Sequence, residues 1–194
     1  TLLTAPTALA APSTLTLPIA EDATVIEIPD SGSNGTIVRV QSSGFIGNQR
    51  AVLKVTDFST LPANATVLDA DLKLNSVAGP AADRTYDLHQ ITTAWTESTV
   101  TWSTVSGAVG SLSSSSTVGT GFLGEKTWDV TSDVIAFLAT PASNNGWVLK
   151  DNAESGVAGA VSDWASSEYV INPDLQPRLV IQYNTPPVTP VLTR

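Results

Sequence analysis

The sequence predicts an all-β fold: an antiparallel jelly-roll β-sandwich carrying one short helix. Three observations lead there. Apolar and polar residues alternate with a period of two in segment after segment, clusters of Gly, Pro, Ser, Asn and Asp separate those segments, and a single stretch has helical spacing. Many short strands with one helix bury their apolar faces best as two packed layers.

Taken in chain order, the alternation begins in STLTLPI, where Leu15, Leu17 and Ile19 alternate with Thr14, Thr16 and Pro18. It returns in ATVIEI, TIVRVQ, AVLKVT, ATVLDADLKL, TYDLHQI, GWVLK and RLVIQY, each of which reads as a strand. The intervening PDSGSNG, SSGFIGNQ, STLPANA, VAGPAAD, SGAVGSLSSSSTVGTG and NPDLQP read as turns and loops. DVTSDVIAFLAT differs, because Val130, Val134, Phe137 and Leu138 fall on one face of a helix. Thr131 or Ser132 is placed to cap it, Asp133 suits the positive end of its dipole, and Pro141 stops it. The predicted core is Leu53, Val55, Leu72, Leu74, Trp102, Trp128, Trp147, Leu149, Leu179 and Ile181.

A length of 194 residues suits one domain. The pattern sets it at 14–184, between an N-terminal tail (1–13) and a Pro/Thr-rich C-terminal tail (185–194). Ala8-Leu9-Ala10 has the small-residue form of a signal-peptide cleavage site, though no basic residue precedes it. Cysteine and methionine are both absent. That excludes disulfides, thiolate zinc sites and a cysteine nucleophile, and indicates a processed or excerpted chain. Eighteen acids against nine bases give a net charge of -9, which repels a nucleic-acid backbone. No run of 18 apolar residues is present to cross a membrane as a helix. Charged residues make up only 14%, against about 25% in an average soluble domain, and this balance points to an extracellular or cell-surface protein.

EDATV, the NGT that follows it, RAVLKVTDFSTLPANATVLDADLKL, AWTESTVTW, WDVTSDVIAFL, NNGWVLKD, SSEY and PRLVIQY occur in the order found in DNRLRE-type domains, which this chain resembles over roughly residues 14–183. These are extracellular β-sandwich modules, some of them classed as carbohydrate-binding modules. The resemblance implies that the two tryptophans of ITTAWTESTVTW, Trp95 and Trp102, plug the core while Glu97 holds a loop. The family carries an aromatic residue where this chain has Val55, a departure that predicts a β-bulge there.

Catalysis is not expected. Glycoside hydrolysis needs two carboxylates about 5–10 Å apart, and the segment supplies Glu97 alone. His89, the only histidine, lies in an alternating strand, and no G-x-S-x-G elbow accompanies it. No cofactor is implied apart from structural calcium, for which Asp69 and Asp71 on one strand face are candidates. Trp164 and Tyr169 are the aromatics expected near a surface, where with Arg39 or Arg50 they would hold a sugar. Arg39, Arg50, Lys54 and Lys73 are expected to line one face suited to an acidic polysaccharide. The sequons at Asn34 and Asn64 are candidate glycosylation sites, and the Ser/Thr-rich loop 111–117 is a candidate for O-linked sugar.

The leading expectation is a non-catalytic structural subunit that polymerises head-to-tail with copies of itself into a surface or matrix filament. Strand donation from a terminal tail would link the subunits, with Leu2, Leu3, Ala5 and Leu9 as the docking residues. The alternative is a carbohydrate-binding module or adhesin recognising polysaccharide.

Overall fold

The computed structural model describes residues 11–154 and 160–186. Twelve strands join in one curled, entirely antiparallel hydrogen-bonded network whose two halves face each other as a sandwich. In one half, β1 (Ser13–Pro18) pairs with β12 (Arg178–Asn184), which pairs with the long β6 (Thr66–Ala78). Past the end of β12, β6 pairs with β11 (Ala160–Ala165) and thence β4 (Ile37–Ser42), while its other edge holds β9 (Gly124–Asp129). In the second half, β3 (Ser31–Ser33), β2 (Glu21–Ile26), β5 (Gln49–Lys54), β10 (Trp147–Asp151), β7 (Arg84–Ile91) and β8 (Val109–Val118) follow one another in that order. The register pair Gln41 and Gln49, between β4 and β5, joins the halves.

Between the halves lies the main core, with Leu72, Leu74, Trp128, Trp164, Leu179 and Ile181 from one side and Leu53, Tyr86, Leu88, Trp147 and Leu149 from the other. Trp164 stands edge-on to Trp128 (5.5 Å between centroids) and to Tyr86 (6.1 Å), the arrangement that aligns ring edges with ring faces. The helix predicted in DVTSDVIAFLAT forms as α2 (Thr131–Ala139) and plugs one end of the core with Val134 and Phe137. Neither Thr131 nor Ser132 caps it. The cap position is Val130, the Asp129 carboxylate accepts the Thr131 amide, and the Thr131 hydroxyl instead accepts the Ala70 amide from β6 (2.9 Å).

Strand β8 replaces most of the loop predicted over 106–121, because its serines are drawn into a ladder by β7 in spite of their weak β-propensity. Strands β9 and β11 and the short β3 also escape the alternation pattern. In place of the bulge expected at Val55, the ladders of β5 with β2 and β10 run without a register shift and Val55 follows the end of the strand into the core.

Two tryptophans exchange their predicted places. Trp164, expected near the surface, is fully buried, because β11 sets it opposite Val38 on the core side. Trp102, expected in the core, is only half-buried at the start of a five-residue helix, α1 (Trp102–Ser106). Truncation should separate them: Trp164→Ala should cost about 3–5 kcal/mol in urea unfolding. Trp102→Ala should cost only about 1–2 kcal/mol, from partial burial and a cation–π contact. Equal losses would contradict this placement.

Candidate functional site

The second half of the sandwich has an unusual outer face. Ala23, Val52 and Val148 stand side by side across β2, β5 and β10, so an apolar row faces away from the main core. Residues 92–108 fold over it, and Trp95, Val100, Val105 and Ala108 complete a second hydrophobic cluster. The covering segment lies so close that a Cβ on Gly32 would meet the Val100 carbonyl oxygen at 1.9 Å. Glu97 holds this segment as expected, its amide donating to Glu21 Oε2 (3.2 Å) and its carboxylate accepting from Asn34 Nδ2 (3.3 Å).

One cation sits under each end of the cover. Lys54 lies 4.5 Å from the centroid of the buried Trp95 ring, and its ammonium donates to the Trp95 carbonyl and pairs with Glu21 at 2.9 Å. At the other end the Arg50 guanidinium lies 4.2 Å from the centroid of the Trp102 ring. Its Nε and Nη2 donate to the two Glu154 oxygens at 2.7 and 2.9 Å. Lys150 stands 3.6 Å from the same carboxylate. Arg50 is 8% exposed, and its Nη1 is buried with no partner among the described residues. The α1 end is fixed by Asp30, whose Oδ1 accepts the Ser103 amide (3.0 Å); that bond holds the exposed carboxyl below its ordinary range.

The result is a half-exposed indole on a rigid mount, next to one carboxylate and two cations. Such a set can place an apolar face against a flat ligand while donating to and accepting from its hydroxyls. Among the described residues it holds no nucleophile with a base, and His89 Nδ1 is engaged with the Gly110 carbonyl at 3.1 Å.

Residues 13–183 match the family described as carbohydrate-binding module family 96. The chain belongs to this family. Carbohydrate binding is therefore its coarse function, and a binding module of this kind is non-catalytic. No curated protein matches the chain. Family membership favours the sugar-binding expectation over the filament; Leu2, Leu3, Ala5 and Leu9 lie outside the described residues.

The other expected site residues of this family-96 domain do not converge. Trp164 is in the core and Tyr169 is half-buried in the turn after β11. Arg39 is locked to Asp163 through two hydrogen bonds of 2.6 and 2.9 Å, beside a groove of ≈ 280 Å³ shared with Thr24, Ile26, Ser33, Ile37 and Gln49. Lys73 pairs with Glu125, in the other half of the sandwich from Arg50 and Lys54. No basic face results.

Asp69 and Asp71 do share a face, and Asp129 stands opposite Asp71, whose carboxyl is raised by burial and by Asp69. Among the described residues no group of three or more His, Asp or Glu is placed to hold a metal ion. Asn34 and Asn64 are both exposed. Among the described residues no helix is long and apolar enough to cross a membrane.

Asp22, on β2 beside the cover, is fully buried. Its Oδ2 accepts the Ser167 amide at 2.7 Å, while Oδ1 has no hydrogen-bond partner among the described residues. Burial pushes its carboxyl up to about 7, with repulsion from Glu168 and Glu97 adding to the rise and the Ser167 amide opposing it. The folded chain thus holds this proton more tightly than the unfolded chain, where the value returns to 3.8. The neutral acid's contribution to stability is complete below about pH 4 and is lost as pH rises to about 7, at up to about 1.4 kcal/mol per pH unit. Asp22→Asn should flatten that decline in urea unfolding from pH 4 to 8. A variant whose stability falls as steeply as the wild type across this window would show Asp22 to be ionised in the fold.

Proposed function

We propose that this domain binds polysaccharide on the Trp102 indole, with Arg50, Glu154 and Lys150 supplying the polar contacts to sugar hydroxyls. The observation that carries the reading is the distribution of the five tryptophans: Trp95, Trp128, Trp147 and Trp164 are buried, and Trp102 alone is half-buried. An accessible tryptophan is expensive to leave in water, and here it is held on a guanidinium that is itself fixed by a bidentate carboxylate. Preorganised in this way, the ring loses little entropy when a ligand covers it. Coverage of about 60 Å² of indole would contribute about 1.5 kcal/mol, or roughly tenfold in Kd. Work at an extracellular or surface polysaccharide fits the composition and the family.

Affinity electrophoresis and calorimetry against neutral and uronate-containing polysaccharides test this. The wild-type domain should bind at least one, and Trp102→Ala should weaken it about tenfold or more, with Trp102→Phe intermediate. Arg39→Ala, in the separate groove, should leave affinity unchanged. Loss of binding in Arg39→Ala with Trp102→Ala unaffected would move the site to that groove, and binding indifferent to both would overturn the proposal.

A further inference from the structure

Helix α2 and the start of β6 enclose a second groove that has no part in the Trp102 site. It has a volume of ≈ 270 Å³ and is lined by Ala65, Thr66, Val67, Ile135 and Leu138, none of them charged. Among its lining residues Ile135 is 49% exposed. An aliphatic side chain left in water over an apolar concavity marks a docking surface.

Both ends of the domain leave beside this groove. Ser13, the first residue of β1, pairs with Tyr183, Tyr183 pairs with Val67, and Asn184 pairs with Thr66. Two of the groove's lining residues are therefore in register with the end of β12, and β1 begins two strand spacings away, about 10 Å. The ten residues before Ala11, TLLTAPTALA, carry no charged side chain and offer Leu2, Leu3 and Leu9. Apolar side chains on an uncharged segment match an uncharged apolar groove, whereas most of this acidic chain does not.

We propose that the groove accepts residues 1–10 of a second copy of this chain. Pro12 favours a neighbour over the same copy: the residue before a proline is confined to extended conformations, so Ala11 cannot begin a helical turn back toward the domain. β1 runs inward from this end, and Pro12 opposes an immediate helical turn of the chain back toward its own groove. Ten extended residues span up to about 33 Å, enough to reach a neighbour. Each copy gives one segment and offers one groove, so the contact is head-to-tail and generates an open assembly. Trp102 lies outside the contact, so such an assembly would display many sugar sites at once and raise avidity.

Sedimentation of the full chain, a chain lacking residues 1–10, and full-length Ile135→Asp tests this, together with binding of a fluorescent TLLTAPTALA peptide to the truncated chain. Ile135 is a surface position, so its substitution should spare the fold, which circular dichroism checks. The full chain should form concentration-dependent oligomers and both variants should remain monomeric. The truncated chain should bind the peptide, and adding Ile135→Asp to it should weaken binding about tenfold or more. Oligomers unaffected by either change would overturn the proposal, as would a requirement for residues 187–194 in place of 1–10. A monomeric full chain that binds peptide only after truncation would show the groove filled by its own segment and overturn the second-copy assignment. A monomeric full chain and no peptide binding would remove the acceptor altogether.

Discussion

An apolar row on the wrong side of a sheet governs the covered half of this molecule. Ala23, Val52 and Val148 face outward from the layer that contributes Leu53, Trp147 and Leu149 to the core. Leaving those side chains in water would forfeit about 1.5–3 kcal/mol for each valine. Residues 92–108 cover them, and the rest follows from that constraint. Gly32 is glycine where the covering backbone passes too close for a side chain, Glu97 and Asn34 tie the segment down, and Arg50 and Lys54 lie under its two tryptophans. Trp95, with its Nε1 donating to the Asn145 carbonyl at 2.7 Å, closes one end. Trp102, at the other, reaches the rim and stays partly open.

The same geometry favours a proposed site that works by stacking rather than by long-range charge. Arg39, Arg50, Lys54, Lys73, Arg84, Lys150 and Arg178 are each paired with a carboxylate, and Lys126 rests 4.8 Å from the centroid of the Phe122 ring. With a net charge of -9 the chain has no basic field to draw in a distant anion. In the proposed site, the Arg50 and Glu154 pair instead fixes the mount under Trp102 through two hydrogen bonds of 2.7 and 2.9 Å.

Much of the fold was legible in the sequence because period-two alternation reports a strand with one face in a core. β1, β6, β7 and β12 stand close to where Leu15, Leu72, Leu88 and Leu179 put them. The pattern failed where pairing overrides composition. β8 is a run of serines held by β7, and β11 carries Ser162 and Trp164 alternately on the core side, where Ser162 bonds the Tyr86 hydroxyl at 2.6 Å. Pattern alone cannot tell a tryptophan in a core from one on a cover, and so Trp164 and Trp102 were assigned to each other's places. One signal was present: TESTVTWSTVSGA gives Trp102, Val105 and Ala108 the i, i+3 spacing of a helical turn, not the alternation of a strand. The pairing of Arg50 with Glu154 spans 104 residues and leaves no local trace.

The claim at the centre of this account is that the cover presents one indole, and only one, to a ligand. It is tested most directly by following the five tryptophan side-chain N–H resonances during titration with a bound polysaccharide. The account predicts that the Trp102 resonance shifts or broadens while those of Trp128, Trp147 and Trp164, buried in the main core, hold their positions. Saturable binding that leaves the Trp102 resonance in place would contradict it.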